Sequence, residues 1–223
     1  MINIIRVKDQ NEGQEKAHDL LKKLVNKDTL LALSGGTSVD YQAILVDTSD
    51  VIPGAICVVD ERYGGEFHKD SNELLLKNQG VKDFADEFCI ESHKILKGKN
   101  FLETAKIYGK EIEDLFTRFK KRIGVMGVGT NLHTAGIFPK SVAAHSPDYV
   151  VAEEISGKFP KRISLTMKAL GEFTSFIIMM FGNEKKEAVR ILLDGEENDM
   201  QKYPAIFYRK ASVKSYLITD ISI

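Results

Sequence analysis

Tryptophan is absent from this 223-residue chain, and cysteine occurs only twice, as Cys57 and Cys89. Two thiols so far apart fit neither a disulfide framework nor a metal-ligand spacing, so both are expected to be free thiols in a reducing compartment. A dominant charge is also missing. Lys and Arg total 31 against 32 Asp and Glu, a formal net charge of −1, so no global field recruits nucleic acid or an anionic membrane. Any phosphate must then be held by a local site. No apolar run approaches the roughly 20 residues that span a bilayer, and no basic stretch precedes an apolar one at the N-terminus. These absences predict a soluble, cytoplasmic protein. Neither repeats nor low-complexity linkers interrupt the sequence, which predicts one domain over residues 1–223.

What is present is a succession of short apolar and β-branched runs: "INIIRV", "LLALS", "AICVVD", "RIGVMGV", "YVVAEEI", "KRISLT", "SFIIMMF", "PAIFYR" and "SYLITD". Several are continuous rather than alternating, as strands covered on both faces would be. Helical patterns lie between them. Residues 10–26 place Ala17, Leu20, Leu21, Leu24 and Val25 on one face, and residues 101–119 do the same with Phe101, Ala105, Tyr108, Ile112, Leu115 and Phe119. "EKKEAVRILL", "SNELLLKN" and "VDYQAIL" read as shorter helices. Alternating strands and helices predict an α/β fold: a doubly wound, mainly parallel sheet with helices on both faces. In such sheets ligands sit at the carboxyl ends of the strands.

The loops after the strands therefore carry the candidates. "LLALS" runs into Ser34-Gly35-Gly36-Thr37-Ser38 ahead of a helix, where glycines permit close approach and hydroxyls and free N–H groups can hold an anion. The Gly-Lys-Ser/Thr ending of a Walker A loop is absent, and a tight turn with a helix cap would look similar. Asp60-Glu61-Arg62-Tyr63 follows "AICVVD" as either a functional cluster or a solvated turn, and Ser71-Asn72 precedes "ELLL" as a cap candidate. Gly127-x-Gly129-x-x-Leu132, with Glu153 and Glu154 further on, imitates a dinucleotide fingerprint. Leu132 replaces the third glycine, and Pro139 and Pro147 interrupt the required crossover helix. His133 sits in that strand-end loop, where functional residues concentrate. His18, His68, His93 and His145 lack a supporting constellation and read as surface or satisfied polar residues. Arg162 and Lys161 lie in "KRISLT", and Lys185 and Lys186 in a first helical turn, where a cation opposes the helix dipole unless an anion binds.

The order "LALSGGTS", "VVDERY…DSN", "GVGTNLHTAGIFP", "KRISLT", "FGNEKKEA", "YPAIFY" resembles that of the 6-phosphogluconolactonase and glucosamine-6-phosphate deaminase superfamily, over residues from about 14 to 220. "HTAGIFP" is similar to the lactonase "HTASLFP". The resemblance implies a single domain of that superfamily's fold and hydrolysis of 6-phosphogluconolactone to 6-phosphogluconate, a pentose phosphate pathway step, without metal or cofactor. It implies a phosphate loop at Gly36, Thr37 and Ser38, with Arg162 and Lys185 as cationic partners and Asn72 on the substrate. It further implies Asp60 and Arg62 as the acidic and basic site positions and His133 as the catalytic histidine. The partner expected is a phosphorylated sugar lactone, with neither nucleic acid nor membrane; the number of subunits stays open.

Two departures stand out. Asn131-Leu132-His133 occupies the place of the family's Asp-Gly-His, and Val39 stands where proline is common. Asn131 can accept a hydrogen bond from imidazole but lacks the charge that stabilises imidazolium. Leu132 is expected to avoid positive φ and so to impose a different local backbone path. The alternatives are an amino-sugar-phosphate deaminase or isomerase, and a catalytically impaired sugar-phosphate binding protein.

Overall fold

Both long helices form where their apolar faces and their caps agree. α1 (Gln10–Leu24) starts at Asp9, whose side chain accepts the Glu12 N–H at 2.9 Å, and the Glu12 carboxylate accepts the Lys8 N–H at 2.8 Å. α4 (Phe101–Arg118) starts at Asn100, which accepts the Glu103 N–H at 2.9 Å. The shorter helices are α2 (Asn72–Asn78), α3 (Val81–Glu87), α5 (Met167–Gly171), α6 (Lys186–Leu193) and α7 (Phe207–Lys210). The computed structural model describes residues 2–48 and 50–222.

The strands are β1 (Ile2–Arg6), β2 (Thr29–Leu33), β3 (Ala55–Val58), β4 (Asp60–Arg62), β5 (Glu91–His93), β6 (Lys121–Gly127), β7 (Val150–Glu154), β8 (Lys161–Leu165), β9 (Ser175–Met180) and β10 (Lys214–Thr219). Seven of them form a parallel sheet in the order β1-β10-β9-β6-β2-β3-β5. Every residue of β2, β3 and β9 is buried. Successive side chains point to opposite faces, so both faces of these strands are covered. The winding runs β2, β3, β5 in one direction, then returns to place β6 on the other side of β2 before continuing to β9 and β10. The reversal therefore lies between β2 and β6, where strand-end loops diverge and leave a crevice.

β4, β8 and β7 form a separate antiparallel sheet, with Arg62 opposite Arg162 and Asp60 opposite Ser164. "YVVAEEI" and "KRISLT" are thus strands outside the parallel sheet, and Asp60-Glu61-Arg62, expected in a strand-end loop, is itself a strand. "PAIFYR" departs further. It forms a 3₁₀ turn, Pro204–Ile206, followed by α7, and its apolar residues are buried there rather than in a strand. A short apolar run serves either geometry, and only its neighbours choose. "VDYQAIL" contracts to a π-turn at Gln42–Val46, closed by Asp47 N–H to Gln42 C=O at 2.9 Å.

A single residue, Val59, carries the chain from the parallel sheet into the antiparallel one. Its N–H donates to Leu33 C=O, and its C=O accepts from Leu165 N–H, both at 3.0 Å. Tyr108 of α4 anchors the preceding residue: its hydroxyl donates to Val58 C=O at 2.6 Å and accepts the Val58 N–H at 3.0 Å. Tyr108→Phe strands both backbone groups in a buried setting. It is expected to cost about 1–3 kcal/mol, read as a lower urea midpoint at unchanged m-value.

Candidate functional site

The loops leaving β2 and β6 meet at the reversal point. Ser34 joins them: its Oγ accepts the Gly127 N–H at 3.0 Å, its N–H donates to Val125 C=O at 3.1 Å, and its C=O accepts the buried Tyr41 hydroxyl at 2.8 Å. Gly36 has φ +115, a region open to glycine. A cleft of about 170 Å³ opens above this junction, and Gly36, Thr37, Ser38, Asp60, Arg62, Asn72, His133, Arg162 and Lys185 all line it. Of the residues expected at a site, only Asn131 is outside the lining; it is exposed and stands behind His133.

One side of the cleft is strongly cationic. Arg62 and Arg162 are paired across β4 and β8, an arrangement of like charges that is unfavourable on its own. Asp60 offsets it through an ion pair with Arg162 at 3.5 Å. Burial pushes the Asp60 carboxyl up and the Arg162 guanidinium down, each opposed by the other's charge. The Phe159 ring lies 5.1 Å from the Arg62 guanidinium and 6.0 Å from that of Arg162. Lys185, at the start of α6, donates to Ser38 Oγ at 2.7 Å, and burial lowers its pKa. Arg62 Nε and Asn72 Oδ1 are buried with no hydrogen-bond partner among the described residues. Three cations against one carboxylate, with the unpaired Arg62 Nε–H, make a corner suited to an oxyanion, while the unpaired Asn72 Oδ1 is an acceptor suited to a hydroxyl.

His133 closes the other side. Asn131 Oδ1 accepts the His133 backbone N–H at 3.2 Å and lies 2.6 Å from Nδ1. An atom that accepts a backbone N–H is the amide oxygen, so Nδ1 carries the imidazole proton and Nε2 carries the lone pair. The ring stacks on Phe138, with centroids 4.3 Å apart and planes at 9°. A Cβ at Gly129 would fall 2.1 Å from His133 Cε1, so glycine is needed to seat the ring. Burial, then Arg162, Lys185 and Arg62, push the imidazole down to about 4. The ordinary value of about 6.5 expected of a lone histidine thus gives way to a side chain that is neutral well below pH 7.

The histidine loop is strained. Leu132, Ala135 and Lys140 all have positive φ, at +61, +52 and +63, and such a conformation costs a non-glycine residue about 1–2 kcal/mol. Leu132 therefore does adopt the left-handed backbone that its side chain was expected to avoid. Its side chain is 1% exposed, and burying a leucine returns about 1.5–3 kcal/mol, which offsets the strain. No helix follows the glycines. Thr134 instead bridges to Val128 and Ile137, which excludes the dinucleotide geometry. Glu153 accepts the Val142 N–H at 2.8 Å, and Glu154 pairs with Lys161, so neither acidic residue faces the cleft.

Several supporting residues escape a reading of the sequence. Gln14, 6% exposed, donates to Ser38 C=O at 3.1 Å and accepts the Asp40 N–H at 3.1 Å, fixing the far end of the glycine loop; Gln10 donates to Thr37 C=O at 3.0 Å. Gln14 lies three residues before Ala17 on the buried face of α1, a polar residue on an apolar stripe and so the one local signal. Glu61 is fully buried. Its carboxylate accepts the N–H groups of Arg62 at 2.6 Å and of Asn72 and Glu73 at 2.8 Å, tying β4 to α2. Burial pushes it up to about 7, against the pull of those donors. His68 lies 2.7 Å from Arg62 C=O through Nε2, as a satisfied polar residue. A larger groove of about 540 Å³ runs between α4 and β7, away from all of these groups.

Among the described residues no helix is long and apolar enough to cross a membrane, and no group of three or more His, Cys, Asp or Glu is placed to hold a metal ion. The chain is 25% identical over 213 residues to the glucosamine-6-phosphate deaminase of Lactococcus lactis subsp. cremoris, covering 87% of each. It is 27% identical over 159 residues to the bifunctional glucose-6-phosphate 1-dehydrogenase/6-phosphogluconolactonase of Plasmodium falciparum, a match over 62% of this chain but 17% of that longer relative. The fold superimposes on a 6-phosphogluconolactonase from Shewanella baltica with a TM-score of 0.79 at 19% identity, covering 98% of this chain and 97% of that one. Residues 10–217 match the family described as glucosamine-6-phosphate isomerases/6-phosphogluconolactonase, and with the site loops all inside that span, the chain belongs to this family.

Proposed function

We propose that the chain hydrolyses 6-phospho-D-glucono-1,5-lactone to 6-phosphogluconate. The observation that carries this reading is the neutral His133, its Nδ1–H bound to Asn131 and its Nε2 without a partner among the described residues, beside a cationic corner in one cleft. The phosphate is held by the Gly36-Thr37-Ser38 loop with Lys185 and Arg162, while Asp60 keeps Arg162 in place. Arg62 Nε–H offers a donor to the developing oxyanion, and Asn72 Oδ1 offers an acceptor to a sugar hydroxyl. Nε2 takes a proton from water as the water oxygen bonds to the lactone carbonyl carbon. When the tetrahedral intermediate collapses, the bond from that carbon to the ring oxygen breaks and His133 returns the proton to the ring oxygen. The acid formed ionises and releases one proton to solvent. Phosphate binding away from the reacting carbon supplies orientation.

Asn131 bears on the competing readings. In the family resemblance, deamination relies on a carboxylate at this position, and an amide cannot replace its charge. Asn131 also withholds support from imidazolium, which favours a slow lactonase or a sugar-phosphate binder over a deaminase. Release of ammonia from glucosamine 6-phosphate would instead establish deamination.

Three outcomes follow from this chemistry. In a lactonase assay corrected for spontaneous hydrolysis, His133→Ala is expected to lower kcat by about 10²–10⁴-fold with 6-phosphogluconate affinity little changed; retention of most turnover would sink the assignment. Asn131→Asp is expected to raise kcat about fivefold, because hydrogen bonds to charged groups contribute about 1 kcal/mol more than neutral ones. Turnover seen in that variant alone would identify the natural chain as a binder. Bound phosphate, an anion across this pH range, offsets part of the repulsion that Arg162, Lys185 and Arg62 exert on imidazolium. The NMR titration midpoint of His133 is expected at about 4 in the free protein and is expected to move upward when inorganic phosphate is saturating.

A further inference from the structure

At the β5 edge of the parallel sheet, away from the cleft, the chain builds a second cavity of about 370 Å³, within the range of small-molecule sites. Ile56, Leu76, Val81 and Phe67 give it apolar walls, and none of its lining residues is shared with the cleft. Its floor holds an unmatched polar group. Glu73 is 4% exposed; Oε1 accepts the N–H groups of Ile95 at 2.5 Å and Leu96 at 2.9 Å, whereas Oε2 is buried without a partner among the described residues. Such an atom costs free energy that a polar ligand atom would recover.

The rim is unmatched too. Lys82 pairs with Asp86, Lys94 with Glu66 and Lys97 with Glu111. Lys77 has no carboxylate partner among the described residues and lies over the Phe67 ring, 5.0 Å from its centroid. Phe67 itself is held at φ +53, a strained backbone that places an aromatic wall beside this cation. Strain of this kind concentrates at binding sites.

We propose that this cavity binds a small planar molecule with an apolar body and one anionic group. The body packs on Phe67 and Leu76, the anion meets Lys77, and the Glu73 carboxyl bonds a polar atom of the body. Burial raises the Glu73 pKa and so favours its protonated form, a donor toward an oxygen or ring nitrogen.

The probe that matches this chemistry is 1-anilinonaphthalene-8-sulfonate, titrated by fluorescence against the intact chain. Saturable binding at one site per chain is expected, undisturbed by saturating inorganic phosphate. Lys77→Glu and Phe67→Gly are each expected to weaken it at least tenfold. Glycine suits φ +53, so the second variant removes the aromatic wall without adding backbone strain, and circular dichroism melts check both. Unchanged affinity in the two variants would overturn the proposal. So would displacement of the probe by phosphate, or a signal per chain that falls as protein concentration rises, the mark of self-association through this face.

Discussion

The hydrogen bond from Gly127 N–H to Ser34 Oγ, 3.0 Å long, ties together the two strand ends on which the rest of the site depends. β2 and β6 are neighbours across the reversal of the sheet, so their following loops must part in opposite directions. Without a link between them the glycine loop and the histidine loop would be independent surface segments. With it, Gly36 to Ser38 and His133 face one crevice. Tyr41 and Gln14 extend the same restraint to the far end of the glycine loop, so the backbone that would meet an anion is held from both sides.

The second organising influence is uncompensated positive charge. Arg62, Arg162 and Lys185 converge on a cleft with one buried carboxylate, Asp60. The field that favours an anionic ligand also disfavours a charged imidazole, and burial acts in the same direction. Asn131 is consistent with that balance. It orients the ring and selects the Nδ1–H tautomer without offering a charge to stabilise imidazolium. An aspartate here would oppose the cationic field, whereas asparagine leaves His133 neutral.

Backbone strain and packing are exchanged within the histidine loop. Three non-glycine residues in the left-handed region are held by the burial of Leu132, the bridges of Thr134 and the close seat of Gly136 against β8, where Ser164 Oγ accepts the Gly136 N–H at 2.9 Å. The loop is thereby fastened to the antiparallel sheet that carries both arginines. The positions of His133 and Arg162 are consequently set by one connected scaffold rather than by two flexible loops.

The sequence by itself determined the helices α1 and α4, the continuous strands β2, β3 and β9, and the strand-end stretches that hold Gly36, Ser38, His133 and Lys185. Each of these rests on a local pattern: a 3.6-residue apolar period with a cap, an unbroken buried run, or glycine beside hydroxyls. The tertiary structure alone decided that Asp60 to Arg62 is a strand, that β7 and β8 leave the parallel sheet, and that "PAIFYR" turns into a helix. It also decided that Leu132 accepts positive φ, that Gln14 and Glu61 buttress the site, and that His133 is neutral. These outcomes depend on which residues distant in the chain become neighbours, since strand partners, burial of a polar group and the electrostatic field at an imidazole are sums over the fold and leave no periodic trace in the sequence.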